Sequence, residues 1–143
     1  MRKLLSTVAL IATLSTPAFA ADISVDMLNK RDDGAKMVYS EDISTIEVGD
    51  SITWLPTSKG HNVEFIDGPD GWDAPKKSKL SKEYTYAFDT PGVYLYQCTP
   101  HKSMGMIAIV VVGDLTQEAV DAIKDAKVRG KSKKKLKELL ADL

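Results

Sequence analysis

Val93-Tyr-Leu-Tyr-Gln-Cys98-Thr-Pro-His101-Lys-Ser-Met104-Gly-Met106-Ile-Ala-Ile-Val-Val-Val112 is two apolar runs joined by a short polar loop. The runs 93–97 and 106–112 are rich in β-branched and aromatic residues, the composition of strands. The loop and its edges hold the only cysteine, one of the two histidines and two of the five methionines. A thiol, an imidazole three residues on and a thioether five further can be folded around one point by a loop pinned between two strands.

Working outward, similar short runs fall at 23–28, 36–39, 44–48, 51–55, 61–66 and 84–88. Gly, Pro and Asp punctuate them, at Val48-Gly49-Asp50, Asp67-Gly68-Pro69-Asp70-Gly71 and Thr90-Pro91-Gly92. Strands of this length and spacing predict a mainly β sandwich or barrel. Ile52 and Trp54 alternate onto one face, as do Tyr84, Tyr86 and Phe88, so each run needs a second sheet to bury against. The aperiodic stretch 67–81 reads as a long surface loop. After Gly113 the composition shifts to Ala, Lys, Glu and Leu. Thr116 is the expected N-cap of a helix ending near Arg129-Gly130, with Leu115, Ala119, Ala122, Ile123 and Ala126 as its apolar face. A second helix starts near Ser132, with Leu136, Leu139, Leu140 and Leu143 on one stripe. Both are expected to pack on the β-domain. Lys131 to Lys137 reads as a solvated basic face rather than a membrane or nucleic-acid tail.

The first twenty residues have the form of a cleaved secretory signal. Arg2 and Lys3 precede an apolar run 4–14, and Ala18-Phe19-Ala20 is a small-residue cleavage site. Residues 21–143 are then one domain, with 114–143 as its helical extension. The apolar run is too short and interrupted to span a bilayer, so no membrane anchor is expected. Without Arg2 and Lys3 the chain carries about three net negative charges, which is no nucleic-acid footprint. One cysteine cannot form an internal disulfide, and a free thiol in an exported protein is open to oxidation; Cys98 is therefore a buried bystander, a reactive thiol or a metal ligand.

If the fold carries His61 to the loop, the donors become Cys98, His61, His101 and a methionine, the blue-copper set. Soft thiolate and thioether suit Cu(I), and imidazole suits either oxidation state. Met106 reaches further across the loop than Met104, its competitor for the fourth place. Asn62 is expected to offer its backbone N–H to the thiolate and its side chain to the loop near Thr99, and Pro100 withholds a donor and stiffens the turn. These residues fit a one-electron carrier. A copper carrier or storage protein would use the same donors, and a thiol enzyme would use Cys98 as nucleophile with His61 or His101 as base. Zinc is poorly served by methionine.

Cys98-x-x-His101-x-x-x-x-Met106, Lys59-Gly60-His61-Asn62-Val63, Val25-Asp26-Met27-Leu28-Asn29-Lys30 and Met104-Gly105-Met106-Ile107-Ala108 resemble segments of the cupredoxins, the small type 1 blue copper proteins, and within them the pseudoazurin group. The resemblance covers all of 21–143, including two terminal helices that plastocyanins lack. It implies an eight-stranded Greek-key sandwich holding one copper ion on His61, Cys98, His101 and Met106, with Met37 lying against the second histidine. It further implies a monomeric, periplasmic, non-enzymatic electron carrier that serves denitrification enzymes, chiefly copper nitrite reductase, and exchanges with cytochromes c. A docking ring of lysines around His101 would comprise Lys30, Lys36, Lys59, Lys76, Lys77, Lys79 and Lys102. Lys102, directly after a ligand, and Arg31-Asp32-Asp33 depart from the family pattern and bear on partner choice.

Overall fold

The computed structural model describes residues 20–143, so the expected leader lies outside the described residues apart from Ala20. Eight strands follow in order: β1 (Asp22–Lys30), β2 (Lys36–Tyr39), β3 (Ile43–Ile46), β4 (Ser51–Leu55), β5 (Glu64–Asp67), β6 (Tyr84–Ala87), β7 (Gly92–Gln97) and β8 (Ile107–Val112). Two helices, α1 (Gln117–Ile123) and α2 (Ser132–Ala141), complete the chain. The strands form two mixed sheets, β2-β1-β4-β6 and β3-β8-β7-β5, in a Greek-key sandwich. The β1–β4 and β3–β8 pairs are parallel.

The strands β7 and β8 show why an unbroken apolar run can be a strand. Their residues alternate between two cores. Tyr94, Tyr96, Ala108, Val110 and Val112 face the other sheet, where Val25, Met27, Ile52 and Trp54 meet them. Val93, Leu95, Ile107, Ile109 and Val111 face outward and are covered by Ile123, Val128, Leu136 and Leu139 of the C-terminal segment. Without that segment the outer face of the sheet would stand in water.

Thr116 caps α1, accepting the Ala119 N–H at 3.1 Å. The helix stops at Ile123, well short of Gly130: a turn from Ala126 N–H to the Ile123 carbonyl (3.1 Å) redirects the chain, and Val128 is buried in the outer core. Tertiary burial of Val128 overrides helical propensity here. Leu115 lies outside the helix and is 43% exposed, so it is no part of the apolar face. In α2 Leu136 and Leu139 are buried, but Lys135 is not a solvated charge; its Nζ lies 2.7 Å from Asp42, which Arg31 also binds at 3.2 Å.

Candidate metal centre

The β7–β8 ladder pairs Gln97 with Ile107, and the next step in register sets Cys98 opposite Met106. The Cys98 N–H donates to the Met106 carbonyl at 3.0 Å, closing the base of the loop. Both side chains share the inward parity of Tyr96 and Ala108, and both are fully buried at one end of the sandwich. A turn through Thr99–His101 then brings His101 back over the cysteine. Met104, in contrast, is 49% exposed, which removes it as a buried fourth donor.

His61 arrives by a different route. Gly60 takes a φ of +90°, a conformation costly for other residues, and turns the chain after β4. Residues His61 to Val63 precede β5 instead of belonging to it, because their backbone partners are in the long loop. Ser81 N–H donates to the His61 carbonyl (2.9 Å), Ser78 N–H donates to the Val63 carbonyl (2.8 Å), and Val63 N–H donates to Ser78 Oγ (2.8 Å). The seemingly aperiodic loop thus anchors the histidine segment.

The resulting geometry is a small triangle. His61 Nδ1 lies 3.1 Å from His101 Nδ1, Cys98 Sγ lies 3.3 Å from His101 Nδ1, and 3.6 Å separates Sγ from His61 Nδ1. A triangle of those sides has a point about 2 Å from every corner, the length of a metal–nitrogen or short metal–sulfur bond. His61 Nε2 donates to Asn29 Oδ1 at 2.8 Å, which leaves Nδ1 as a bare lone pair aimed at that point. Burial, and then the neighbouring His101, hold the His61 pKa below its ordinary value; burial does the same for His101. Both rings are therefore neutral near pH 7, ready to coordinate. Burial pushes the Cys98 thiol up, and the Asn62 and His101 backbone N–H groups directed at sulfur oppose it by favouring thiolate. Two nitrogen lone pairs and a thiol with anion-stabilising donors suit a soft or borderline ion.

Asn62 donates Nδ2–H to Thr99 Oγ1 at 3.0 Å and accepts the Thr99 N–H at 2.8 Å. Thr99 Oγ1 in turn donates to Glu64 Oε2 (2.9 Å), which also accepts from Gln97 (2.9 Å). Pro100 is exposed on the turn, and Met37, with a φ of +52°, packs against the rim of the inner core. Sequence reasoning missed the roles of Asn29, Glu64, Ser78 and Ser81. Asn29 alone had a signal, its place in the quoted segment 25–30.

Six of the seven lysines are exposed, and Lys102 is half-buried beside His101. Lys77 and Lys79 share a groove with Asn62, Thr99 and Pro100, and Lys36 shares another with Met104 and Gly105. Lys30 adjoins Asn29 and Lys59 lies two residues before His61. Lys76 is exposed in the long loop but does not line the Asn62 groove. No described helix is long and apolar enough to cross a membrane.

The family profile of copper binding proteins of the plastocyanin/azurin family matches residues 25–113. Pseudoazurin of Paracoccus pantotrophus is 42% identical over 137 residues, covering 94% of this chain and 92% of its own. Pseudoazurin of Methylorubrum extorquens is 40% identical over 140 residues, covering 96% and 93%. The crystal structure of pseudoazurin from Hyphomicrobium denitrificans superposes with a TM-score of 0.77 at 35% identity, over 85% of this chain and 98% of that one. A sandwich of this topology, an end that gathers His61, Cys98, His101 and Met106, and these relatives together place the chain in the copper-binding plastocyanin/azurin family, on its pseudoazurin branch.

Proposed function

We propose that this copper electron carrier works in the periplasm as a monomer, without enzymatic activity of its own. Its single copper ion supplies the one-electron change between Cu(I) and Cu(II). His61, Cys98 and His101 would hold it, with the buried Met106 as the fourth donor. The observation that carries the reading is the triangle of Sγ and two Nδ1 atoms, all within 4.8 Å of one another.

The protein's own residues supply rigidity and access. Asn29 fixes the His61 tautomer, and the Asn62–Thr99 pair ties the histidine segment to the ligand loop. His101 is the half-exposed ligand, so its edge is the shortest way for an electron to reach the site from a docked partner. Met37 at the rim tunes the site without binding the ion. The lysines around this end steer acidic faces of redox proteins into brief encounters, with copper nitrite reductase and cytochromes c as the proposed partners.

The test is a spectrum. The chain from Ala21, loaded with Cu(II), should show an intense visible thiolate-to-copper band that bleaches on reduction. Absence of the band would overturn the reading, and rapid loss of copper to a mild chelator would favour a copper carrier or storage protein instead.

A further inference from the structure

The bonds within the ligand loop leave one stretch to be held from outside. His101 N–H bonds the Cys98 carbonyl (3.1 Å), Met104 N–H the His101 carbonyl (2.9 Å) and Ile107 N–H the Gly105 carbonyl (3.0 Å). The carbonyls of Lys102 and Ser103, directly after His101, are claimed by the start of α2. Ser132 Oγ–H donates to the Lys102 carbonyl at 2.6 Å, and Lys131 N–H donates to the Ser103 carbonyl at 2.9 Å.

Three features show that this contact is built. Ser132 is fully buried, though serine at the start of a helix commonly faces water, and α2 has no side-chain cap. Gly130 has a φ of +55°, and a Cβ there would lie 2.4 Å from the Ser103 carbonyl oxygen, so only glycine lets the backbones approach this closely. One turn further on, Lys135 fixes the helix to Asp42, whose carbonyl accepts the Ile109 N–H of β8 at 3.0 Å. The helix is thus tied both to the loop and to the segment beside the strand on which the loop ends.

We infer that α2 is the brace that holds the His101–Met106 loop in one geometry, with Ser132 as a positioning residue for His101. The inference rests on the copper reading, because a ligand held in one place in both oxidation states lowers the rearrangement that accompanies electron transfer.

The experiment uses the full chain from Ala21, as wild type, Ser132→Ala and Ser132→Thr. In the copper-free protein, Ser132→Ala should speed amide hydrogen exchange at His101 and Met104 by about tenfold, the effect of one lost hydrogen bond, while Ile109 and Val111 of β8 stay unchanged. In the copper-loaded protein the thiolate-to-copper bands should change in relative intensity. Ser132→Thr, which keeps the hydroxyl, should restore both. Unchanged exchange at the loop, or equal loosening across β8, would overturn the brace. So would a loosened loop with unaltered bands, because the contact would then not reach His101. A wild type lacking the thiolate band would sink the copper reading alone, and the exchange measurement would still decide the brace.

Discussion

Asn62 and Thr99 hold each other twice, through Nδ2–H to Oγ1 at 3.0 Å and backbone N–H to Oδ1 at 2.8 Å, and so join the segment carrying His61 to the loop carrying His101. Asn62→Ala leaves the Thr99 N–H without its partner in a half-buried site. It should cost about 2 kcal/mol in urea unfolding of the copper-free protein, against about 1 kcal/mol for Thr99→Val, which keeps the amide bond. In a double-mutant cycle the two changes should be coupled rather than additive.

Tyr39 donates its hydroxyl to the Asn62 carbonyl at 2.8 Å from a fully buried position. Burial holds its pKa well above the usual tyrosine value, which keeps the hydroxyl a donor at neutral pH. Tyr39→Phe should destabilise by about 1 kcal/mol or slightly more, the cost of an unpartnered buried carbonyl. An unchanged urea midpoint would show that the bond does not contribute.

Asp42 is pushed up by burial, but hydrogen bonds from Arg31 and Lys135 outweigh that and leave its pKa below the usual carboxylate value. Asp33, bonded to Arg31, is lowered to about 2. Carboxylates depressed in the folded state stabilise it above their unfolded pKa, near 4, and that stability is lost as pH falls through the folded value. Urea midpoints should therefore drop progressively from about pH 5 down to about pH 2. Asp42→Asn should be less stable at pH 7, by about 1 kcal/mol, and should show a shallower acid slope. An equal slope in the variant would locate the acid sensitivity elsewhere.

All eight strands were legible as runs set between turn residues, though the run 61–66 began three residues before β5, and β7 and β8 were legible as strands despite their continuous apolar character. What covers their outer face was readable only as amphipathic stripes. The end of α1 was not, because burial of Val128 is a tertiary effect with no local sign. Cys98, His101 and Met106 are near in sequence, and their pairing follows from strand register. His61 had to be brought in by composition and by resemblance. Asn29, Ser78 and Ser81 act through long-range hydrogen bonds, which spacing alone does not encode.

Steering by lysines predicts rates that depend on salt. Association with an acidic redox partner should slow steeply as ionic strength rises. Lys102→Glu, beside His101, should reduce the low-salt rate by about tenfold or more, with the difference shrinking in high salt. Lys76→Glu should have a smaller effect, since Lys76 does not line the Asn62 groove. Equal effects of the two reversals would mean that the overall charge, and not a face around His101, governs docking.

The methionines separate position from chemistry. Met106 is fully buried opposite Cys98, whereas Met104 is 49% exposed two residues away. Met106→Leu preserves volume, so the fold should lose no more than about 1.5 kcal/mol. Cysteine and both histidines remain, so the thiolate band should persist. With one donor gone the balance between Cu(II) and Cu(I) changes, and the reduction potential should shift by roughly tens of millivolts. Met104→Leu should leave both band and potential where they are. Voltammetry of the two variants decides the fourth ligand: a larger shift from Met104→Leu would transfer that role to the exposed residue and would require the loop to rearrange around copper.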